Sequence, residues 1–536
     1  MSGRSLVPEL PLNEDEAARA VRVFNRLRVP DVFGTPRLEE ATGDWFRDIV
    51  AALFGSYDPE TNRRAIQEVF LLVPKKNGKT TNAAAVMVTA MILNRRPRAE
   101  LLLIAPTKEI SDLAYKQAKG MIQADEALNE IFHCRDHVRA IEHRVHGSEL
   151  KIKAADTDAI TGSKSTFILI DETHVFAGKP RARDVFVEVR GALASRPDGF
   201  LFQISTQSKS PPAGVFKAEL DRARKVRDGK LRLPILPVIY ELPPDQRENW
   251  DKNENMERVN PNLGRSLEPG FLARELATAK EEGPEALALF ASQHANKEIG
   301  LNLMADRWPG ADFWESAGDR ALSLDDLLKR SEVVTIGIDG GGLDDLLGVS
   351  VVGRETGTNQ WLAWSRAYAH PIVLERRKQE AARLLDFAAD GDLVIVERIG
   401  DDVASVAQLV HSIYARELLD MIGVDPHGIG GILDAMEDAG VPKDKVIGIS
   451  QGWKLNGAIK TAERRLAEGA ITHPGAPMMA WCAGNAKVTP VGNAVSITKQ
   501  QSGTAKIDPL MAFFNAVHLM SLDPPPAKKP YALFFV

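Results

Sequence analysis

The stretch Glu68 to Thr81, EVFLLVPKKNGKTT, restricts the fold more than any other part of the chain. An apolar run, Val69 to Val73, ends at Pro74 and turns into a short polar loop. An alanine-rich helical segment opens directly after Gly78-Lys79-Thr80-Thr81. In a strand, loop and helix of this kind, main-chain N–H groups and the helix N-terminus face an anion, a lysine reaches the outer phosphates, and a hydroxyl holds magnesium. Lys79 and Thr80 stand in those two places, and Lys75, Lys76, Asn77, Gly78 and Thr81 complete the expected nucleotide-binding set. The loop departs from G-x-x-x-x-G-K-[ST] in carrying Val73 where the pattern has glycine. A lysine-rich turn capping a helix has the same local appearance, so a second, acidic motif is needed to decide.

Phe167 to Glu172, FILIDE, supplies it: an apolar strand ending in two adjacent carboxylates. At such a strand end Asp171 can hold magnesium, while Glu172 can orient and deprotonate an attacking water. A further strand, Phe200 to Ile204, ends in Ser205-Thr206-Gln207, where a polar side chain can sense the γ-phosphate. Strands separated by helical stretches, with candidate ligands at their C-terminal ends, predict a mainly parallel α/β sheet covered by helices on both faces. Trp45 and Phe46, upstream of the loop, read either as adenine-stacking aromatics or as core. Between Lys209 and Arg232 basic residues outnumber acids, which reads as a solvated helix face or as a contact for a phosphate backbone.

With 536 residues the chain exceeds one core of about 100–200 residues. The expected organisation is an N-terminal approach over 1–67, a P-loop core over 68–265, a helical lid or connector over 266–325, and a second domain over 326–536. A net charge of −6 means that any nucleic-acid contact must come from local basic patches. Cys134 and Cys482 are far apart and lack metal-ligand spacing, which points to a reducing compartment, by default cytoplasm. The acidic N-terminus does not resemble a secretory signal and no apolar run reaches about 18 residues, so neither export nor a membrane span is expected.

The second domain opens with Val333 to Asp339, VVTIGID, followed by apolar runs at Gly348 to Val352 and Trp361 to Tyr368, the pattern of an antiparallel meander. Ile422 to Pro426 is another apolar run ending in an aspartate, and Ile507-Asp508-Pro509 opens a helix with Leu510, Phe513, Phe514 and Val517 on one face. Asp508 alone fits an ordinary N-cap before a proline. Phosphodiester hydrolysis by two magnesium or manganese ions about 3.5–4 Å apart needs a cluster of carboxylates, and Asp339, Asp425 and Asp508 form that cluster if the fold gathers them. Asp344, Asp345, Glu397, Asp401 and Asp402 compete, each also readable as a solvated loop acid. Gly492-Asn493 signals a hairpin, with Lys487 and Lys499 available to DNA phosphates.

The order of VPKKNGKTT, FILIDETHVF, ISTQS, ANKEIGLNLMADRW, TIGIDGGG, GVDPHG, WCAGNA and KIDPLMAFFNAVHLM resembles the large terminase subunit of tailed bacteriophages, over roughly Asp31 to Leu522. The resemblance implies an ASCE-type P-loop ATPase followed by an RNase H-like nuclease. It makes Lys79 and Thr80 the Walker A lysine and magnesium ligand, Asp171 the Walker B aspartate, Glu172 the catalytic glutamate, and Ser205 to Gln207 the coupling motif. Asp339, Asp425 and Asp508 become the nuclease metal ligands, and Lys75 or Lys76 the basic residue of the phosphate loop. Trp45-Phe46 departs from the glutamine that the family often carries in its adenine motif.

The implied function is ATP-driven translocation of double-stranded DNA into a prohead, with cutting of concatemeric DNA. The implied cofactors are ATP with Mg2+ in the first domain, and Mg2+ or Mn2+ in the second. The implied partners are a small terminase subunit, the portal protein and other copies of the chain in a ring, a pentamer, working in the host cytoplasm. The rival reading is a helicase-like or repair ATPase fused to a nuclease.

Overall fold

The computed structural model describes residues 5–154, 164–178, 181–299, 307–343, 345–378, 380–426, 430–492, 494–497 and 506–527. Asp344, Asn493 and Lys499, raised by the sequence, lie outside the described residues. The chain divides into two compact units, Met1–Gly300 and Leu301–Val536. The division splits the expected 266–325 connector, because Trp308 and Trp314 are buried in the hydrophobic core of the second unit.

In the first unit, helix α1 (Glu14–Arg26) starts at Asn13, whose side chain accepts from the Glu16 N–H. Phe24 of α1 stacks on Phe46 of α2 (Asp44–Gly55) with ring centroids 5.7 Å apart. There follow β1 (Glu68–Leu72), α3 (Lys79–Leu93), β2 (Glu100–Ala105), α4 (Lys108–Gln123), β3 (Phe132–Arg135), β4 (Ala140–His143), β5 (Glu149–Ala154) and β6 (Phe167–Asp171). Helix α5 (Ala182–Ala194), β7 (Phe200–Ser205), α6 (Gly214–Arg227) and β8 (Ile235–Ile239) complete the sheet and its cover.

The strand order is β8-β1-β7-β6-β2-β5-β4-β3. Strands β8 to β5 of that order run parallel, and β4 and β3 turn back as antiparallel additions. The alternation of side chains along a strand explains why these runs are apolar throughout. Leu101 and Leu103 enter the core on the α1–α4 face, whereas Leu102 and Ile104 enter the core beneath α5. Phe70 and Leu72 meet Phe216 and Leu220 of α6. Helices α7 (Pro269–Glu282) and α8 (Pro284–Ala295) build a satellite core around Trp250, Leu272 and Phe290.

The second unit is a mixed sheet of β9 (Ser331–Gly340), β10 (Leu347–Glu355), β11 (Trp361–Ala369), β12 (Leu393–Ile395), β13 (Leu419–Val424), β14 (Val446–Gly448) and β15 (Ile471–Thr472). The path is β12-β11-β10-β9-β13-β14, with β15 beside β11. The first three strands form the antiparallel meander, and β13 and β14 run parallel to β9. A meander whose first strand carries two further parallel strands on its other side is the RNase H-like arrangement. Helix α9 (Asp401–Tyr414) covers one face, and α10 (Asn456–Ala467), α11 (Pro477–Asn485) and α12 (Asp508–Met520) cover the other. Gly492 turns the hairpin between Val488–Val491 and Ala494–Ile497. Among the described residues no helix is long and apolar enough to cross a membrane.

Candidate functional site

The phosphate loop leaves β1 at Val73, whose N–H donates to the Ser205 carbonyl (3.1 Å). Two of its residues adopt the left-handed conformation, Lys76 (φ 69°) and Gly78 (φ 73°). Glycine does so readily; lysine does so at a cost of order 1 kcal/mol, sustained only where neighbours over-determine the turn. Asn77 provides that determination. Its fully buried carboxamide donates to the Pro74 carbonyl (3.1 Å) and to Asn260 Oδ1 (2.8 Å), and accepts from the Asn262 N–H (3.0 Å). Ser266 donates to the Lys76 carbonyl (2.7 Å). The Asn77 side chain thus braces the loop from within.

Helix α3 then points its N-terminus into the site. Thr80 Oγ1 donates to Asp171 Oδ2 (2.9 Å), and Lys79 Nζ lies 2.9 Å from Glu172 Oε1. These contacts join the ends of β1 and β6, which are not neighbours in the sheet: β7 lies between them and delivers Ser205-Thr206-Gln207 to the same edge. Glu172 is itself left-handed (φ 53°). Its Oε2 is buried and lies 3.2 Å from His174 Nδ1. Burial and the neighbouring Glu172 charge push the Asp171 carboxyl up. Burial would raise Glu172 as well, but Lys79 and His174 outweigh it and hold that carboxylate low.

Asp171 Oδ1 is buried and unbonded. A hydroxyl-bonded carboxylate with one open oxygen is suited to a hard divalent cation. The residues present thus fit magnesium, with Thr80 and Asp171 as its holders.

The two loop lysines differ. Lys76 is exposed, whereas Lys75 is half-buried, its N–H donating to the Gln293 carbonyl (2.9 Å). Burial depresses its ammonium, as do Lys209, Lys79 and Lys76, while Glu172 draws it the other way. Lys75 therefore shares the electrostatic field of the site. A cleft of about 450 Å³ adjoins the loop, lined by Val29, Pro36, Leu38, Thr81, Asn82 and Arg265 among others. Trp45 is not in it: it is fully buried against Phe46 and Tyr240, with its indole N–H donating to Asn262 (3.3 Å).

In the basic run, Arg222 pairs with Glu68 and Glu219, Arg224 with Glu241 and Glu298, and Arg227 with Glu241. Those arginines serve internal ion pairs rather than a phosphate backbone.

In the second unit, Ile338 of β9 pairs with Val424 of β13, so Asp339 and Asp425 leave adjacent strand ends side by side. Asp508 is the first residue of α12 rather than its cap, which is Ile507. It comes close because the sheet is glycine where the helix lands. A Cβ on Gly337 would stand 1.9 Å from the Ala512 carbonyl, and one on Gly348 2.7 Å from Pro509 N. A Cβ on Gly340 would lie 3.3 Å from that of Asp508. Asp339 and Asp508 are 3% and 0% exposed. The buried Lys506 pairs with Asp345, fastening the turn after β9 to the approach of α12.

Three aspartates are the right donors for hard divalent ions. Yet among the described residues no three His, Cys, Asp or Glu side chains are gathered to hold a metal ion. The three stand at neighbouring ends, Asp339 and Asp425 on adjacent strands and Asp508 at the start of the helix that lands beside Gly340.

Asn260, Asn262, Ser266 and His174 were not singled out from the sequence. The first three act across more than 180 residues with no local signal, whereas His174 is visible in DETHVF, two residues after the glutamate.

Residues 44–210 match the family profile described as "Terminase large subunit, ATPase domain". The terminase large subunit of Enterobacteria phage HK97 is 22% identical over 464 residues, covering 83% of this chain and 85% of that one. The terminase large subunit of Lactococcus phage p2 is 21% identical over 476 residues, covering 85% and 83%. Among solved structures, the HK97 bacteriophage large terminase aligns with a TM-score of 0.49 at 19% identity, covering 94% of this chain and 99% of that chain.

Proposed function

Because this chain belongs to the phage large terminase subunits, we propose that it is the ATP-driven motor moving double-stranded DNA into a prohead, and the nuclease cutting concatemeric DNA. The observation that carries the motor reading is the pair of contacts Thr80–Asp171 and Lys79–Glu172, which bring both motifs to one sheet edge. The β- and γ-phosphates of ATP lie against the loop N–H groups and the start of α3, and Lys79 turns from Glu172 to the phosphate oxygens. Magnesium, when bound, offsets phosphate charge. Glu172, its Oε1 freed when Lys79 turns away, accepts the hydrogen bond and then the proton of the attacking water. Lys75 supplies positive charge to the γ-phosphate, and the cleft beside Thr81 and Asn82 takes the adenosine.

Cutting is assigned to the edge where Asp339, Asp425 and Asp508 meet, and we propose that it depends on Mg2+ or Mn2+, as two ions. Grip on the DNA backbone is sequence-independent and salt-sensitive. Site choice falls to a small terminase subunit, docking to the portal protein, and the working form to a ring of copies, a pentamer, in the host cytoplasm.

The test is packaging with proheads, small subunit and ATP, read as DNA protected from added nuclease. Wild type protects and Glu172→Gln does not; equal protection in both overturns the motor reading. Cutting is tested separately by Mn2+-dependent cleavage lost on chelation and in Asp425→Ala. Cleavage that survives both removes the second site.

A further inference from the structure

The His174 side chain touches both the glutamate of the phosphate site and the strand that follows it in the sheet. Its main-chain N–H donates to Ser205 Oγ (3.0 Å). Its ring Nδ1 lies 3.3 Å from the same Oγ and 3.2 Å from Glu172 Oε2. The hydroxyl hydrogen of Ser205 is committed to the Thr206 carbonyl (2.9 Å), and a carboxylate has no hydrogen to give. Neither neighbour can therefore donate to Nδ1, so Nδ1 carries the ring proton and faces two acceptors. The ring is held in place edge-on to Phe216, with centroids 6.1 Å apart. Ser205 in turn holds the start of the phosphate loop through its carbonyl and the Val73 N–H.

Among the described residues, two side chains restrain the carboxylate head of Glu172, Lys79 on Oε1 and His174 beside Oε2. Its backbone is left-handed, a conformation that favours other shapes when restraints are lost. When phosphates draw Lys79 away, the first restraint goes at the step for which the carboxylate must be aimed.

We propose that His174 is the positioning residue for Glu172. Its Nδ1–H fixes the carboxylate against Ser205 once Lys79 has moved to the nucleotide, and so ties the aim of the base to the end of β7. This rests on the reading of Glu172 as the base of ATP hydrolysis. A change at the Ser205 end of β7, whether from nucleotide or from DNA load, then changes turnover without altering nucleotide affinity.

The experiment measures ATP turnover, fluorescent-nucleotide affinity and melting temperature in the full chain for wild type, Glu172→Gln, His174→Ala, His174→Asn and Ser205→Ala. His174→Ala is expected to lower kcat by about 10- to 100-fold, the scale of a misaimed catalytic group. Its nucleotide Kd should stay within about twofold of wild type, as befits a group that touches no phosphate. His174→Asn, whose amide N–H takes the place of Nδ1–H, is expected to recover most of that loss. Ser205→Ala should fall with His174→Ala, and the double variant no further.

Wild-type kcat in His174→Ala, with Glu172→Gln inactive, overturns the role of His174 alone. Turnover retained in Glu172→Gln overturns the reading of the site itself. If His174→Ala does not fold, the remaining variants decide: His174→Asn inactive while folded, or Ser205→Ala at wild-type kcat, overturns the proposal.

Discussion

Lys79 Nζ and Glu172 Oε1 are 2.9 Å apart, an ion pair between the lysine of the phosphate loop and the glutamate that ends the acidic strand. Both side chains are largely buried. Each neutralises the other in a place where an unpaired charge would be costly. A bound phosphate therefore competes with Glu172 for Lys79, so binding and release of the base are one event. Glu172→Gln weakens the competitor. Nucleotide affinity should be retained or rise by a few fold while kcat falls by about 100-fold or more, the scale of a lost general base. Fluorescent-nucleotide titration beside steady-state turnover measures the two effects, and weaker binding in the variant would contradict the competition.

Asn77→Ala should loosen the loop without touching a charged group. It strands the Asn262 N–H and Asn260 Oδ1 in the interior. The cost is about 1–3 kcal/mol, that of a buried polar group left unpaired. Thermal unfolding of the variant should begin earlier and its nucleotide Kd should rise. A stable variant with wild-type affinity would remove Asn77 from its structural role.

Gly337→Ala is expected to separate the two activities. Its methyl group would sit 1.9 Å from the Ala512 carbonyl, main chain that no side-chain rotation can move aside, so α12 must shift. Overpacking of this kind costs about 1–3 kcal/mol. The shift carries Asp508 with it, so DNA cleavage should be lost while ATP turnover persists. Cleavage at the wild-type rate would show that the helix can move without disturbing the site.

His473 makes stability depend on pH. Its ring is stacked on Trp314 and 3% exposed, with Nε2 2.9 Å from the Trp314 carbonyl and Nδ1 accepting from the Gly475 N–H. Nε2 donates, so the neutral ring already uses both nitrogens, and a second proton on Nδ1 would displace a hydrogen bond. Burial pushes the pKa down to about 4 from 6.5. The unfolded chain binds the proton more readily, so this contribution is whole above pH 6.5 and is lost as pH falls towards 4. The loss is on the order of 1–2 kcal/mol by pH 5. Urea unfolding at pH 7 and pH 5 should show wild type losing more stability than His473→Gln. Equal losses would place the acid sensitivity elsewhere.

Much of this protein is written in contiguous residues. The run EVFLLV followed by a polar loop and an alanine-rich segment specifies strand, loop and helix, because side-chain period, turn chemistry and helix propensity act over a few neighbours. The same local logic placed Asp171, Asp339 and Asp425 at strand ends and put Asp508 at the start of an apolar-faced helix. Local pattern could not rank Lys75 against Lys76, settle whether Trp45 is core, or say which strand lies between β1 and β6.

Those answers depend on sheet order and on close approach between distant segments. Asn77 meets Asn262, Thr80 meets Asp171, and α12 settles onto Gly337 and Gly348. Contacts of this kind are set by which surfaces the whole fold buries together, and no periodicity along the chain encodes them. The sequence by itself determined the elements and the chemical types at their ends. The tertiary structure alone decided which of those ends face one another, because only packing across the sheet brings their side chains within reach.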